Sequence, residues 1–477
     1  MSEPTSPEIL RKAGLLERYH ISRCEVDCDN YLVSCATYTG PLTLDRPTVF
    51  RALHRLLPLH PALCVQISGA HDADPAFVRL PTIDLNDVVE FPEDDTKPLE
   101  EVFNTELDRP VQDKKSRPLW RVVVHGGRTV LFSWHHAIGD GTAAHAFHLA
   151  FRDALNHVPA ADGTEEESSI VQVPKDLALL PAIEHHMDVS ITLKTLFGIL
   201  YSTFTPRSWQ SGYKAWTGNP VGSVKHPGVV TRMRALPPST SSALLALCRA
   251  HDCTATGFLH TLATRVLSHL LAAPEHKATL KRYKKFVTTV PISLRRFAGL
   301  GPLTIVDFVS TYRSSPPITR STQTWPLTET SFPWTTAAAF TKSLRRNMKD
   351  VQVIGTIKYI YSLGMAEKYF LDKMGNKRDT TFELSNIGAT PKEAIAERKG
   401  DDGDGAAPSW TMDDMYWGQN DGLFGAVIKM NLSGSPSGSM NVTYTWGVGA
   451  IDNAFAESFV EDMHAAIESV LSVPVSQ

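Results

Sequence analysis

Residues 120–141 decide the fold of this chain and read WRVVVHGGRTVLFSWHHAIGDG. Residues 120–125 and 128–134 are rich in β-branched and aromatic residues, and only Gly126-Gly127 stands between the two runs. Two such runs around a two-residue glycine turn predict an antiparallel β-hairpin. The second strand of that hairpin leads directly into a pair of histidines.

The histidine pair belongs to the string His135-His136-x-x-x-Asp140-Gly141. Neighbouring residues of a strand point to opposite faces, so only one of the two histidines can face a given cavity. Gly139 and Gly141 flank Asp140, and we expect them to permit a tight turn with unusual dihedral angles. A histidine that titrates near neutrality can remove a proton from an alcohol or amine as it attacks an acyl group. The string therefore predicts general-base chemistry.

Three alternatives compete with this interpretation. An isolated H-x-x-x-D is more often a hydrogen-bonded feature of a core or a surface than a catalytic group. A metal site would combine Asp140 with His145 and His148, but no further ligand stands at a known spacing, so we predict no bound metal. A serine-hydrolase site would need a G-x-S-x-G motif, which the sequence lacks.

Outside the hairpin, helical and β-rich segments follow one another without a regular βαβα order. Apolar residues at helical spacing predict helices over residues 10–19, 48–59, 99–107, 142–156, 239–251, 256–271 and 454–471. Runs rich in β-branched residues predict strands over residues 26–38, 64–67, 286–291, 303–312, 380–384, 426–432 and 440–446. This mixture favours an α+β fold over a doubly wound parallel sheet.

The length of 477 residues predicts more than one domain, because single hydrophobic cores stop growing at roughly 250–300 residues. Residues 205–227 are rich in Gly, Pro, Ser and Trp, which is typical of a connection between domains. We therefore predict an N-terminal lobe over residues 1–190 that carries the histidine string, a crossover linker over 191–228 and a C-terminal lobe over 229–477.

The charge balance excludes a general nucleic-acid-binding protein. Lys and Arg number 47 against 51 Asp and Glu, which gives a net charge of -4 and no basic excess. The six cysteines include no C-x-x-C pair and are typical of reduced thiols rather than of disulfides or structural zinc.

The hydropathy pattern predicts a protein without stable membrane insertion. No stretch approaches the ~18 uninterrupted apolar residues of a spanning helix, and the first residues lack the pattern of a secretory signal. Residues 193–204 are interpreted as a buried amphipathic segment, with a membrane-surface helix or a lid as the alternatives. We expect a cytoplasmic monomer.

The string H-H-x-x-x-D-G after a hairpin strand resembles the signature of the CoA-dependent acyltransferase superfamily. This group includes chloramphenicol acetyltransferase, nonribosomal peptide condensation domains, wax ester synthases and the plant BAHD enzymes. The whole chain is similar to fungal alcohol acetyltransferases of secondary metabolism. The segments that carry this similarity, in the family's order, are GLLERY (14–19), HPAL (60–63), PLWRV (118–122), AWTGN (215–219), PISLRR (291–296), FELSNIG (382–388) and YWGQN (416–420).

The resemblance implies two chloramphenicol acetyltransferase-like lobes that meet at an active-site tunnel, with the acyl donor and the acceptor entering from opposite sides. His136 would be the general base, and His135 would pack away from the tunnel. Asp140 would be structural, its carboxylate paired with Arg295, or failing that with Arg296.

The resemblance also implies roles for residues at the acyl group. Gly141 would allow the backbone to approach the thioester closely. Ser385 and Asn386 would bind the acceptor or stabilise the tetrahedral oxyanion. The alternative for these two residues is a turn pair that closes a strand.

One departure from the wider superfamily narrows the resemblance. The plant enzymes' D-F-G-W-G string is absent, since residues 307–311 read DFVST and share only its first two residues. This segment is more similar to the G-x-F-V-N-T element of condensation domains, with Ser310 at the asparagine position. No carrier domain or adenylation motif is visible, which favours a freestanding enzyme that uses a diffusible CoA thioester.

The sequence therefore predicts an O-acyltransferase that moves an acyl group, preferentially acetyl from acetyl-CoA, to a hydroxyl of a small alcohol or a secondary metabolite. Acetyl-CoA is a co-substrate, and no bound cofactor is expected. We expect transfer in a ternary complex without an acyl-enzyme. Two alternatives stay open: a condensation-type enzyme with a carrier-bound acyl donor, and a catalytically silent acyltransferase-like binding protein.

Overall fold

The computed structural model of the chain describes residues 8–26, 31–72, 74–110, 117–157, 168–225, 227–319, 325–362, 366–391, 409–420 and 423–472. None of the helices in these ranges combines the length and the apolar character that crossing a bilayer requires.

The strands of the described residues are β1 (Ile9–Lys12), β2 (Leu32–Thr39), β3 (Val65–Ser68), β4 (Ala76–Arg79), β5 (Thr82–Asp84), β6 (Val89–Glu90), β7 (Trp120–His125), β8 (Thr129–Trp134), β9 (Ile170–Gln172), β10 (Val229–Leu236), β11 (Thr288–Ser293), β12 (Val309–Ser314), β13 (Thr380–Ala389), β14 (Thr411–Gln419), β15 (Ala426–Gly434) and β16 (Met440–Gly447). The helices are α1 (Leu15–Glu25), α2 (Arg46–Leu56), α3 (Leu99–Asp108), α4 (Ala143–His157), α5 (Leu193–Phe204), α6 (Pro238–Ala250), α7 (Ala255–Leu270), α8 (Lys277–Arg282), α9 (Trp334–Arg346), α10 (Gln352–Ser362), α11 (Ala366–Leu371) and α12 (Asn453–Leu471).

The hairpin predicted around the glycine pair is confirmed. Strands β7 and β8 are antiparallel, with Trp120 opposite Trp134 and His125 opposite Thr129. The two turn residues have positive φ, 58° at Gly126 and 61° at Gly127. Two successive positive φ values match the right-handed twist of the strands, and glycine adopts them without a side-chain penalty.

The strands form two large sheets that define two lobes. The first lobe contains a five-stranded sheet in the order β14-β2-β8-β7-β6, and the second lobe contains a six-stranded sheet in the order β10-β16-β15-β13-β11-β12. Helices α2 and α4 pack in the first lobe, and α7, α9 and α12 pack in the second. Each lobe has its own hydrophobic core, so the predicted α+β fold with two lobes is confirmed.

Strand β14 comes from late in the chain but lies in the sheet of the first lobe. It pairs antiparallel with β2, with Trp417 opposite Ser34. Its side chains also bond the second sheet: the indole of Trp417 donates from Nε1 to the carbonyl of Leu432 over 2.9 Å. The first lobe thus includes a strand that lies within the predicted C-terminal range of 229–477. The edge of a sheet has unpaired backbone N–H and C=O groups, and a strand from any part of the chain can pair with them.

Several local expectations are corrected by the structure. The N-terminal segment has a strand before its helix, since Ile9–Lys12 is extended and the helix begins at Leu15. The strand predicted over 303–312 begins only at Val309, and residues 303–308 form an irregular connection. The predicted burial of residues 193–204 is wrong. They form helix α5, in which Leu193 is 71% exposed and Phe204 is 80% exposed.

The hairpin turn gives a matched pair of stability tests. A methyl group at Gly126 would meet nothing within 4 Å, whereas one at Gly127 would lie 2.3 Å from Cγ2 of Thr43. Gly126→Ala should therefore lower the free energy of unfolding by about 1–2 kcal/mol through its positive φ alone, and Gly127→Ala should lower it more. Urea unfolding measures both values. A larger loss for Gly126→Ala would contradict the turn geometry.

Candidate active site

The histidine string follows directly from the end of β8. His135 caps a short 3₁₀ turn over residues 136–138, where its Nδ1 accepts a hydrogen bond from the backbone N–H of Ala137 over 3.0 Å. His135 is buried, and its ring meets the ring of Tyr31 edge-on. His136 points differently: it lines a cavity between the lobes, with 15% of its side chain exposed.

The two glycines of the string serve a different purpose from the one expected. Neither has a positive φ, and Gly139 is extended with φ of −173°. They are required for space instead. A Cβ at Gly139 would lie 2.7 Å from Cβ of Ala143, and a Cβ at Gly141 would lie 2.7 Å from the ring of Trp417. The glycines let the loop pack against α4 and β14, so the expectation of unusual dihedral angles is corrected.

Asp140 forms a buried ion pair with Arg295, which belongs to the connection between β11 and β12. The Nη1 atom of Arg295 lies 2.8 Å from Oδ1 and 2.6 Å from Oδ2 of Asp140. Both side chains are at most 5% exposed. The backbone N–H groups of Thr142 and Phe308 also donate to this carboxylate, over 2.9 and 3.2 Å. The second arginine considered, Arg296, contacts the sulfur of Met348 instead.

Arg295 also fixes the segment before β12. Its Nε donates to the carbonyl of Thr304 over 3.0 Å, and its Nη2 donates to the carbonyl of Val306 over 2.7 Å. The backbone N–H of Asp140 donates to the same Val306 carbonyl over 3.2 Å. These bonds hold residues 304–308 against the histidine loop.

The cavity beside His136 has a volume of about 410 Å³, and we call it the interlobe cavity. Its lining includes His20, His136 and Gly141 from the first half of the chain and Ser385 and Lys429 from the second half. A cavity of this size is typical of small-molecule sites. It lies where the resemblance implies an active-site tunnel.

The structure brings together three groups that the sequence did not connect. Oδ1 of Asp307 lies 3.5 Å from Nδ1 of His136, and its Oδ2 lies 3.5 Å from Nε2 of His20. The two imidazole rings are stacked, with centroids 3.6 Å apart and planes within 5°. The side chain of Asp307 has no solvent exposure, and that of His20 is 6% exposed.

Burial perturbs both of the newly found groups. It raises the pKa of the Asp307 carboxyl to about 6, although the nearby His136 opposes this shift. Burial, and secondly the adjacent His136, hold the pKa of the His20 imidazole well below its usual value. His20 lines the interlobe cavity, and shifted pKa values of this kind beside a cavity are typical of functional groups. One sequence signal could have found Asp307, because it is the lone charge in the apolar run IVDFV (305–309).

Within the described part of the chain, His20, His136 and Asp307 are close enough to share a metal ion, since their donor atoms lie within 4.8 Å of one another. Their geometry suits proton chemistry better. Imidazole lone pairs lie in the ring plane, and two parallel stacked rings cannot direct them at one ion without breaking the stack.

Among the described residues, His145 and His148 form no metal-binding group with Asp140. The ring nitrogens of His148 lie 2.9 Å from the hydroxyl oxygens of Ser34 and Tyr38. Burial lowers the pKa of His145 to about 4 and that of His148 to about 3. Both are neutral histidines of the first lobe's interior.

Ser385 and Asn386 lie on β13 and both line the interlobe cavity. The Asn386 side chain is bonded at both ends: its Nδ2 donates to the hydroxyl of Thr256 over 3.1 Å, and its Oδ1 accepts from the N–H of Gly388 over 2.8 Å. These bonds fix the Asn386 side chain within β13, which continues to Ala389. The Ser385 side chain stays a candidate for contact with a substrate.

Comparison with known proteins agrees with this architecture. The family model for alcohol acetyltransferases matches residues 12–461. A probable alcohol acetyltransferase of Aspergillus fumigatus, crmB, is 25% identical over 447 residues, which cover 87% of this chain and 89% of that protein.

Two solved structures share the fold. The trichothecene 15-O-acetyltransferase TRI3 of Fusarium sporotrichioides superposes with a TM-score of 0.67 at 11% identity, covering 99% of this chain and 100% of that one. The condensation domain of the monacolin K polyketide synthase MokA gives a TM-score of 0.61 at 12% identity, with 98% and 100% covered. The match to the family model extends across both lobes and the histidine string, so the chain belongs to the alcohol acetyltransferase family and is an acyltransferase.

Proposed function

We propose that this enzyme transfers an acetyl group from acetyl-CoA to the hydroxyl group of an alcohol, and that His136 is the general base. The observation that carries the proposal is the place of His136: its ring lies in the wall of the interlobe cavity, between residues of both lobes. A donor and an acceptor that meet in this cavity would meet beside the imidazole. Membership of the alcohol acetyltransferase family supports the choice of acyl group and acceptor.

In the proposed step, the imidazole of His136 first accepts one proton and then returns it. The acceptor oxygen attacks the thioester carbonyl and forms the new C–O bond while its proton passes to Nε2 of His136. An alcohol has a pKa far above neutrality, so proton removal must accompany the attack. The tetrahedral intermediate then breaks its C–S bond, and the proton on His136 passes to the departing CoA sulfur. The products are the acetyl ester and free CoA thiol.

Two further residues would serve this step. The oxyanion of the tetrahedral intermediate needs a hydrogen-bond donor in the cavity wall, and the hydroxyl of Ser385 is our candidate. Gly141 lies in the same wall, where its lack of a side chain leaves room for Trp417 and for the backbone to approach the substrate.

The buried thiols support direct attack by the alcohol rather than an acyl-cysteine intermediate. Burial raises the pKa of Cys35 and of Cys64 to about 12, so both are inert thiols. Among the described residues that line the interlobe cavity there is no cysteine. Buried reduced thiols are also suited to a reducing compartment, which supports our expectation of a cytoplasmic enzyme. We propose that it acts as a monomer.

The acceptor class is proposed from the relatives and from the size of the site. TRI3 is named as a trichothecene 15-O-acetyltransferase. A cavity of about 410 Å³ can hold more than a short-chain alcohol. We therefore propose a hydroxylated secondary metabolite as the preferred acceptor, with small alcohols as weaker substrates.

Replacing His136 tests the general base. His136→Ala should lower kcat on the order of 10²–10⁴-fold with little change in stability, since only the proton acceptor is lost. The assay is release of CoA thiol from acetyl-CoA in the presence of a panel of small alcohols and hydroxylated terpenoids. His157→Ala is the matched control, because that histidine is exposed at the end of α4. Equal rates for wild type and His136→Ala would show that another group is the base.

Replacing Asp140 tests the bracing ion pair. Asp140→Ala leaves the Arg295 guanidinium buried without its carboxylate, so stability should fall by about 3–5 kcal/mol and activity should fall with it. Chemical unfolding gives the stability. The double variant Asp140→Ala/Arg295→Met should lose less stability than Asp140→Ala, because no unpaired charge is left. An Asp140→Ala protein that is stable but inactive would contradict a bracing role.

A further inference from the structure

We propose that Asp307 and His20 are positioning residues for the general base: Asp307 holds the ring of His136, and His20 holds the carboxylate of Asp307. This inference rests on the proposed function of His136. It assigns the orienting carboxylate to the second half of the chain rather than to the aspartate of the histidine string itself.

The aspartate of the string cannot orient the base, because it is already committed. Both carboxylate oxygens of Asp140 contact Nη1 of Arg295, and two backbone N–H groups donate to them as well. Asp307 is the carboxylate that faces the ring of His136, with Oδ1 3.5 Å from Nδ1. In apo enzymes such contacts are often longer than an ideal hydrogen bond and shorten when substrate is bound.

A carboxylate at Nδ1 selects the useful tautomer of an imidazole. The ionised carboxylate only accepts hydrogen bonds, so it favours a proton on Nδ1 and leaves the lone pair on Nε2. A base that takes a proton at Nε2 needs this tautomer. When the ring becomes positively charged during the step, the negative charge of Asp307 lies beside it and stabilises it.

His20 completes the arrangement from α1. Its Nε2 lies 3.5 Å from Oδ2 of Asp307, so each carboxylate oxygen faces a different ring. The stack with His136 restricts rotation of both rings. Burial, and secondly the adjacent His136, hold the pKa of His20 well below its usual value, which favours a neutral ring next to the protonated base.

Other charged groups around the cluster have their own contacts. The carboxylate of Glu17 forms an ion pair with Arg11 over 2.6 Å. The guanidinium of Arg23 lies 5.6 Å from the ring centroid of Tyr19. The Nζ atom of Lys429 donates a hydrogen bond to the carbonyl of Asn420 over 2.6 Å. The groups that act electrostatically on Asp307 or His20 are Glu17, Arg23, His135, His136, Asp140 and Lys429. Asp307 therefore stabilises His136 in a region where the other carboxylates are paired with arginines.

The test compares Asp307→Asn and His20→Phe with matched controls. Asp307→Asn keeps the shape but removes the charge, and should lower kcat on the order of 10²–10³-fold while KM for acetyl-CoA changes less than about twofold. His20→Phe keeps a flat ring for the stack and should lower kcat about 10-fold. Two controls replace the same residue types elsewhere. Asp95→Asn changes a carboxylate that lies 3.7 Å from Nδ1 of His125 on the hairpin, and His269→Phe changes an exposed histidine that stacks on Trp325. Both control variants should keep the wild-type rate.

The pH profile separates positioning from a structural role. Asp307→Asn removes the negative charge that favours the protonated ring, so the acid limb of kcat/KM should move to lower pH. His20→Phe removes the imidazole that faces Oδ2 of Asp307. The carboxylate then carries more of its charge toward His136, so the acid limb of this variant should move to higher pH. A loss of rate without any shift of the limb in either variant would overturn the inference.

Stability provides an independent check. Because burial raises the pKa of Asp307 to about 6, the folded state favours the neutral acid, and that contribution to stability is lost as pH rises from about 4 to about 6. At higher pH the wild type must bury an ionised carboxylate, and an asparagine does not. The Tm of Asp307→Asn relative to wild type should therefore be higher at about pH 7.5 than at about pH 4.5. Equal loss of Tm and activity at both pH values would mean that Asp307 is only structural.

A spectroscopic readout makes the inference testable before an acceptor is found. Nitrogen-15 NMR of labelled histidine distinguishes the two imidazole tautomers, and His136→Gln identifies the signal of His136 by subtraction. The wild type should show the Nδ1–H tautomer, and Asp307→Asn should reduce its share. An unchanged tautomer overturns this inference alone. Full activity of His136→Ala would instead overturn the proposed function.

Discussion

The buried ion pair between Asp140 and Arg295 is the interaction on which the rest of the site depends. It joins the histidine loop of the first lobe to the connection before β12 in the second lobe. Taking both charges out of water costs several kcal/mol, which the short contacts and four additional hydrogen bonds to backbone groups offset. The pair is therefore costly to break, and it fixes one relative position of the two segments.

The same connection carries the carboxylate that meets the base. Arg295 holds the carbonyls of Thr304 and Val306, and Asp307 follows immediately. From there its side chain reaches His136 on one side and His20 on the other. Strand β14 adds a second tie between the lobes, since it pairs with β2 while Trp417 bonds the carbonyl of Leu432. Gly141 accommodates the ring of that tryptophan. The cavity wall is thus assembled from both lobes.

What the sequence could predict depends on how local the signal was. The hairpin follows from two β-rich runs and a glycine pair, and both glycines adopt the positive φ that the turn requires. The histidine loop follows from its specific string, and Arg295 follows from a family resemblance rather than from spacing. Helices α4, α6, α7 and α12 begin and end within one residue of their predicted bounds, whereas α9 and α10 were not predicted.

Non-local features could not be predicted in the same way. Strand β14 joins the first sheet through pairing across most of the chain, which no local pattern encodes. His20 and Asp307 become neighbours only when α1 and the β11–β12 connection pack against the histidine loop. The exposure of α5 was missed because an apolar composition favours burial, whereas this helix leaves residues such as Phe197 at 65% exposure.

Initial velocities over a grid of acetyl-CoA and acceptor concentrations test most directly whether both substrates are bound together when the acyl group moves. Direct attack in the interlobe cavity predicts double-reciprocal lines that intersect, together with an unmodified protein mass after incubation with acetyl-CoA alone. Parallel lines and an acetylated protein would contradict it, because the acyl group would then pass through a protein side chain before reaching the alcohol.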